Sequence, residues 1–127
     1  MYLKLEILCD KSLPSVILNE KTNELEINGC LYHFKSELLF EMILNWLHFY
    51  FEKKGKEVTI RFDLELISAR SMKIIYIFLK NINQVYINNE IVKVIWLMNI
   101  DDEHDRIGVE LIKELVPLDF KIQQKLN

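Results

Sequence analysis

The sequence contains little glycine and little cysteine, and each shortage excludes a class of function. Its three glycines, at positions 29, 55 and 108, allow neither a dinucleotide-binding fingerprint nor a phosphate-binding Walker loop. Its two cysteines, Cys9 and Cys30, indicate neither a disulfide framework nor a thiolate metal site. The three histidines lack the spacing of metal ligands. We therefore expect no metal, no cofactor and a cytoplasmic protein.

The chain also lacks a basic surface and a long apolar run. Its net charge is −3 and its Lys and Arg residues form no stripe, which argues against nucleic acid as a partner. The longest nearly uncharged segment, residues 38–51, is too short to span a bilayer and contains Glu41. The first residues alternate apolar and polar side chains, unlike a signal peptide. We expect one globular domain of 127 residues without membrane insertion.

Residues 57–82 organise the rest of the chain. From Val58 to Leu66 every even position is apolar and every odd position is polar, which predicts a half-buried strand. The period then changes to three and four, which predicts a helix with an inward stripe of Met72, Ile75, Phe78, Leu79 and Ile82. Ser68 is the expected N-cap of this helix. The corner thus places Ser68, Arg70 and Ser71 at the positive end of a helix dipole.

The remaining segments give the order of elements. Residues 15–18 and 24–28 predict a β-hairpin, and residues 91–98 predict a strand inside the sheet. Residues 118–122 predict a last strand, with residues 123–127 as a loose tail. A first helix with Ser36 as N-cap is expected to turn inward Leu39, Met42, Ile43, Trp46, Leu47 and Tyr50. A third helix, starting at residue 101, is expected to turn inward Ile107, Leu111 and Leu115.

This order predicts an α/β fold. We expect a single domain with an N-terminal β-hairpin followed by βαβ crossovers, and a mixed sheet of four or five strands. About three helices should cover mainly one face, because Arg61, Asp63 and Glu65 would not fit on a face that is covered. Residues 1–13 are expected to form an N-terminal extended segment and residues 14–127 the domain. The wide apolar face of the first helix makes a homodimer a candidate assembly.

The residues alone leave the function open. No Ser, Cys or His lies in a sequence context that indicates nucleophilic catalysis. Serines at a helix start act as plain caps, and the same position also favours a phosphate. The open sheet face around Arg61, Asp63 and Glu65 is a candidate site for a small ligand or a reaction.

Several segments together resemble the SiaC family of bacterial regulatory phosphoproteins. The resemblance extends from Pro14 to Ile122, and the order and spacing of its motifs carry it. These motifs are NELEING at 23–29, Trp46, Leu47 and Tyr50, FDLE at 62–65, the serine-containing corner with Lys73, VKVIW at 92–96, DDE at 101–103, GVE at 108–110 and PLDF at 117–120.

The resemblance implies a STAS-like fold, similar to anti-sigma-factor antagonists, and a non-enzymatic role in partner switching. In such systems a protein kinase phosphorylates the corner, a PP2C-type phosphatase removes the phosphate, and the unmodified form activates a diguanylate cyclase. The usual phosphoacceptor threonine falls on Ala69, which has no hydroxyl, so Ser68 and Ser71 become the candidate phosphoacceptors. The implied docking residues are Ser68, Ala69, Arg70, Ser71 and Lys73. The alternative is a constitutive adaptor without a phosphorylation switch.

Overall fold

The structure, a computed structural model, describes residues 6–7, 13–19, 21–32, 35–54, 57–86, 92–99 and 103–125. Its elements in chain order are β1 (Glu6–Ile7), β2 (Ser15–Asn19), β3 (Glu24–Leu31), α1 (Ser36–Lys54), β4 (Val58–Ile67), α2 (Ala69–Tyr86), β5 (Val92–Met98), α3 (Glu103–Leu115) and β6 (Asp119–Gln124). Much of the predicted segment 1–13, and the predicted start of the third helix at residues 101–102, lie outside the described residues.

The strands form one mixed sheet in the order of the chain, from β1 to β6. The pairs β1/β2 and β2/β3 are antiparallel, whereas the pairs from β3 to β6 are parallel. Each parallel pair is joined through one helix, and right-handed crossovers in one direction along a sheet put all their helices on the same face. The predicted α/β fold with a hairpin, crossovers and three helices is confirmed. Five strands have five or more residues, and the two-residue β1 extends the sheet at its edge.

The core lies between this sheet and the helices. Alternate residues of β4 and β5 are buried and their neighbours are half-buried, so one sheet face is covered and the other is open, as predicted. Phe62 stacks on Trp96 with ring centroids 4.6 Å apart, and Trp96 stacks on Phe120 at 6.5 Å. These aromatic rings tie the three parallel strands β4, β5 and β6 together under the helices.

The alternation in β4 ends at Leu64, two residues before the predicted end at Leu66. Gly29 of β3 pairs with Leu64, but Cys30 pairs with Leu66, so Glu65 is an extra residue in a β-bulge. The bulge turns Leu66 out of the core, and its side chain is 56% exposed. Gly29 has a φ of +126°, a conformation that favours glycine, and it lies beside this irregularity.

The predicted inward face of α1 is mostly confirmed. Met42 is the exception, since its side chain is 51% exposed. Ser36 does not cap this helix, because the C=O of Lys35 accepts a hydrogen bond from the N–H of Leu39 at 3.1 Å and Ser36 is already inside the first turn. The buried members of the predicted face are Leu39, Ile43, Leu47 and Tyr50, and Trp46 is half-buried.

The predicted inward face of α3 is wrong. Ile107, Leu111 and Leu115 are 70%, 52% and 55% exposed. The buried side chains are instead Val109 and Ile112, which are followed by buried Val116 just beyond the helix. Gly108 contributes to the choice, because a Cβ there would lie 3.3 Å from Cγ of Met72 on α2. The glycine allows α3 to approach α2 on that side, and the approach turns the larger stripe outward.

The end of the chain is more ordered than predicted. β6 continues to Gln124, and the N–H of Lys125 donates to the C=O of Met98 at 2.8 Å. The prediction of a loose tail is therefore wrong for residues 123–125.

Candidate functional site

Ser68 caps α2 as predicted and fixes the corner between β4 and α2. Its N–H donates to the C=O of Leu31 at 3.1 Å, which ties the corner to β3. Its C=O accepts the first helical hydrogen bond, from the N–H of Met72 at 2.9 Å. Its hydroxyl accepts from the N–H of Ser71 at 3.1 Å, which satisfies one of the free donors of the first turn. The start of α2 is therefore held by both the backbone and the side chain of one residue.

A chain of three serine hydroxyls connects this corner to α1. Ser68 Oγ donates to Ser71 Oγ at 2.9 Å, and Ser71 Oγ donates to Ser36 Oγ at 3.4 Å. Ser71 is 1% exposed and Ser36 is fully buried. Because buried hydroxyls need partners, this contact satisfies both and fixes the two helix starts against each other. The sequence predicts Ser36 only as a separate cap and gives no local signal of this contact, although both helices start at the same sheet edge.

The predicted docking residues do not share one environment. Ser68 is half-buried, Ser71 is buried, and Ala69, Arg70 and Lys73 are exposed. Residues four apart lie on one side of a helix, so Ala69 and Lys73 share a flank. Arg70 shares the other flank with Ile74. The corner therefore presents two exposed flanks, one on each side of α2, and Ser71 lies beneath them.

The Arg70 flank continues into a groove between α1 and α2. The groove encloses about 120 Å³ and was not predicted. Its floor is the contact of Phe40 with Phe78, whose ring centroids are 5.0 Å apart. Its lining residues are Glu37, Phe40, Glu41, Leu44, Ile74, Ile77, Phe78 and Asn81. An apolar floor with carboxylates of α1 at the rim suits an apolar side chain that is accompanied by a cation.

The open sheet face holds the charged side chains that the sequence placed there. Arg61 lies 3.9 Å from Glu24, and Lys125 Nζ lies 3.0 Å from Asp63 and donates to the C=O of Leu64 at 3.1 Å. Arg61, Asp63 and Lys125 line a broad polar depression of about 610 Å³, together with Glu65. Lys125 was not predicted to take part, because it falls in the expected tail. The charges neutralise one another across the depression, which leaves its candidate role as a ligand or reaction site without a specific supporting contact.

The described part of the chain has neither a cluster of metal ligands nor a helix that could cross a membrane. No three His, Cys, Asp or Glu side chains there are grouped so that they could hold a metal ion. No described helix is long and apolar enough to cross a membrane.

The described residues form an α/β domain with a mixed sheet, helices on one face and a capped helix start at the end of a central strand. The chain belongs to the SiaC family of regulatory phosphoproteins, since the model of that family matches residues 7–125. The resemblance seen in the sequence is confirmed. No curated sequence matches the chain.

Solved structures from Pseudomonas aeruginosa share the fold at low sequence identity. Apo-SiaC is 19% identical with a TM-score of 0.79, covering 94% of this chain and 98% of its own. The diguanylate cyclase SiaD in complex with its activator SiaC gives 19% identity and a TM-score of 0.82, covering 95% and 99%. A further SiaC structure is 18% identical with a TM-score of 0.81, covering 96% of this chain and 98% of its own. These similarities establish the fold of the chain.

Proposed function

We propose that this chain is a non-enzymatic, cytoplasmic signalling module that binds and activates a diguanylate cyclase through the start of α2. The observation that carries the proposal is the fold shared with a SiaC that is solved in complex with the cyclase SiaD as its activator. The exposed flank of Ala69 and Lys73 supports the docking site, because it combines a small residue with a cation at a rigidly capped helix start. A small residue permits close approach of a partner, and an exposed lysine can pair with a carboxylate.

The proposal includes a kinase and a PP2C-type phosphatase, with Ser68 as the acceptor. Ser68 is preferred to Ser71 because Ser71 is 1% exposed and its hydroxyl is bonded to two other serines. A phosphate on Ser68 would sit at the positive end of α2, where its oxygens could replace the hydroxyl as acceptor for the N–H of Ser71. The added negative charge at the start of the helix that carries Lys73 would change which partner this end of α2 attracts.

The constitutive adaptor is the second candidate, and one observation favours it. Ala69, at the family's phosphoacceptor position, is exposed in the first turn, and it has no hydroxyl. The nearby hydroxyls of Ser68 and Ser71 are both engaged in the chain of serine hydrogen bonds. A kinase that needs a free, exposed hydroxyl would find none at the first turn of α2.

Two measurements test the proposal and separate its parts. Binding to a diguanylate cyclase from the same organism is expected to weaken at least tenfold in Lys73→Glu. Lys121→Glu, the same charge change on the open sheet face, should leave binding unchanged. Equal binding by both variants would exclude the α2 flank as the docking site.

The phosphorylation switch is tested by incubation with ATP and candidate protein kinases from the same organism, followed by intact-mass measurement and peptide mapping. One phosphate that is lost in Ser68→Ala supports the switch. No phosphate on the wild-type chain, together with cyclase activation, supports the constitutive adaptor.

A further inference from the structure

The exposed stripe on α3 is an apolar feature that the proposed function leaves unexplained. Ile107, Leu111 and Leu115 are more than half exposed and follow one another at intervals of four residues. At a rise of about 1.5 Å per residue, they form a ridge about 12 Å long. Single exposed apolar residues are normal on a protein surface, but a continuous ridge of three is typical of an interface.

Lysines of α2 border this ridge on one side. The helices run in the same direction, because both follow parallel strands, and the Met72–Gly108 contact fixes their relative level. Lys80 Nζ lies 6.0 Å from the ring centroid of Tyr76, on the flank of α2 that also carries Met72. Lys73, three residues before Tyr76, is an exposed neighbour on this side.

Carboxylates border the ridge on its other side. Glu110 and Glu114 are exposed and lie three residues after Ile107 and Leu111, on the side of the ridge that points away from Gly108 and α2. Glu110 also lies 3.9 Å from Arg106, in an exposed pair that contributes little. The ridge therefore separates lysines of α2 from the carboxylates Glu110 and Glu114 of α3, whose outer flank also carries Arg106 and the exposed Lys113.

The positions along the helices also match. Lys73 is one residue beyond Met72 and Glu110 is two beyond Gly108, a difference of about 1.5 Å along the axis. Lys80 is eight residues beyond Met72 and Glu114 is six beyond Gly108, a difference of about 3 Å. Each lysine thus lies nearly level with a carboxylate on the far side of the ridge.

We propose that this ridge is the interface of a symmetric dimer of the chain, with its two-fold axis parallel to α3. A two-fold rotation about such an axis keeps each residue at its position along α3 and exchanges the lysine side of the ridge with the carboxylate side. Lys73 then faces Glu110 of the partner subunit, Lys80 faces Glu114 of the partner subunit, and the two ridges pack on each other. A two-fold axis perpendicular to α3 and running across the ridge would place lysine against lysine. The charges therefore favour the arrangement in which the two α3 helices run parallel.

The dimer is expected to be weak. Six apolar side chains and four ion pairs form a smaller contact than the roughly 1,200–2,000 Å² of a stable complex. This dimer does not rest on the proposed signalling function. The dimer would, however, cover Lys73 and compete with a partner that docks there.

Sedimentation equilibrium of the purified chain between roughly 5 and 500 µM tests the proposal. The wild-type chain is expected to pass from monomer to dimer, and Leu111→Glu to raise the dissociation constant at least tenfold. Ile77→Glu is the matched control, because Ile77 is 46% exposed on the opposite flank of α2. This variant should dimerise like the wild type. Circular dichroism checks that each variant is folded.

A charge exchange tests the arrangement itself. The double variants Lys73→Glu/Lys80→Glu and Glu110→Lys/Glu114→Lys should each be monomeric, since like charges would face each other. Their equal mixture should form a mixed dimer that native mass spectrometry distinguishes by mass. A wild-type chain that stays monomeric up to the highest concentration overturns the proposal. So does a dimer that is lost in Ile77→Glu and kept in Leu111→Glu.

Discussion

Two consecutive strand–helix units, β4–α2 and β5–α3, have the same topology but follow their sequence patterns to different degrees. In the first unit, Ile75, Phe78, Leu79 and Ile82 are buried as their spacing predicts, and Met72 is half-buried. In the second unit the strand follows its pattern, but the helix buries Val109 and Ile112 and exposes the larger residues. Periodicity therefore shows that a helix has an apolar stripe. When a helix has two, the contact with its neighbour decides which one is buried.

Replacement of Phe62 is the largest expected break in the first unit. Phe62 is fully buried and stacked on Trp96, so Phe62→Ala should lower the free energy of unfolding by about 3 to 5 kcal/mol. Leu66→Ala in the same strand is the control and should cost below about 1 kcal/mol, because the bulge exposes that side chain. Denaturant titration measures both. A loss well below 1 kcal/mol for Phe62→Ala would mean that the assigned buried face of β4 is wrong.

The second unit offers a direct contrast between its two stripes. Ile112→Ala should cost about 2 to 5 kcal/mol, since Ile112 is 3% exposed and its removal leaves a cavity. The adjacent Leu111→Ala should cost below about 1 kcal/mol at micromolar protein concentration, where the side chain is in water. Titrations of both variants at one low concentration make the comparison. If Leu111→Ala proved the more costly, the stripe predicted from the sequence would be the buried one after all.

The sequence predicts most of the fold because most of its patterns have one solution. The alternation from Val58 to Leu64 and the stripe of α2 each allow one buried face. The bulge at Glu65 and the extension of β6 to Gln124 depend on pairing with other strands. Such pairing leaves no local signal in the residues concerned, so register and strand ends could not be predicted.

The candidate site was predicted in part for the same reason. Ser68 could be recognised as a cap because capping is a local interaction between a hydroxyl and the next turn. The burial of Ser71 could not, since it depends on Ser36, which is 35 residues away in sequence. The groove at Phe40 and the ridge at Leu111 are likewise products of helix packing.

The smallest expected effect tests what selects the buried face of α3. Gly108→Ala should raise the free energy of unfolding slightly, by between 0 and about 0.5 kcal/mol. Alanine in a helix interior is favoured over glycine by about 0.5–1 kcal/mol, and the new Cβ would reduce this gain by its contact with Met72. The nearest atoms, Cγ at 3.3 Å and Cε at 3.4 Å, belong to a flexible, half-buried side chain that can shift.

The double variant Gly108→Ala/Met72→Ala separates the two contributions to this small effect. If Met72 opposes the new methyl group, the benefit of alanine at position 108 should be larger when Met72 is already truncated, and a double-mutant cycle in denaturant measures the difference. A loss above about 1 kcal/mol for Gly108→Ala alone would mean that Met72 cannot move. The helices would then meet at a rigid contact, and close packing at Gly108 would be a strict requirement for exposing the ridge of Ile107, Leu111 and Leu115. The expected small gain means instead that the contact tolerates a methyl group, so that burial of Val109 and Ile112 shares in fixing the orientation of α3.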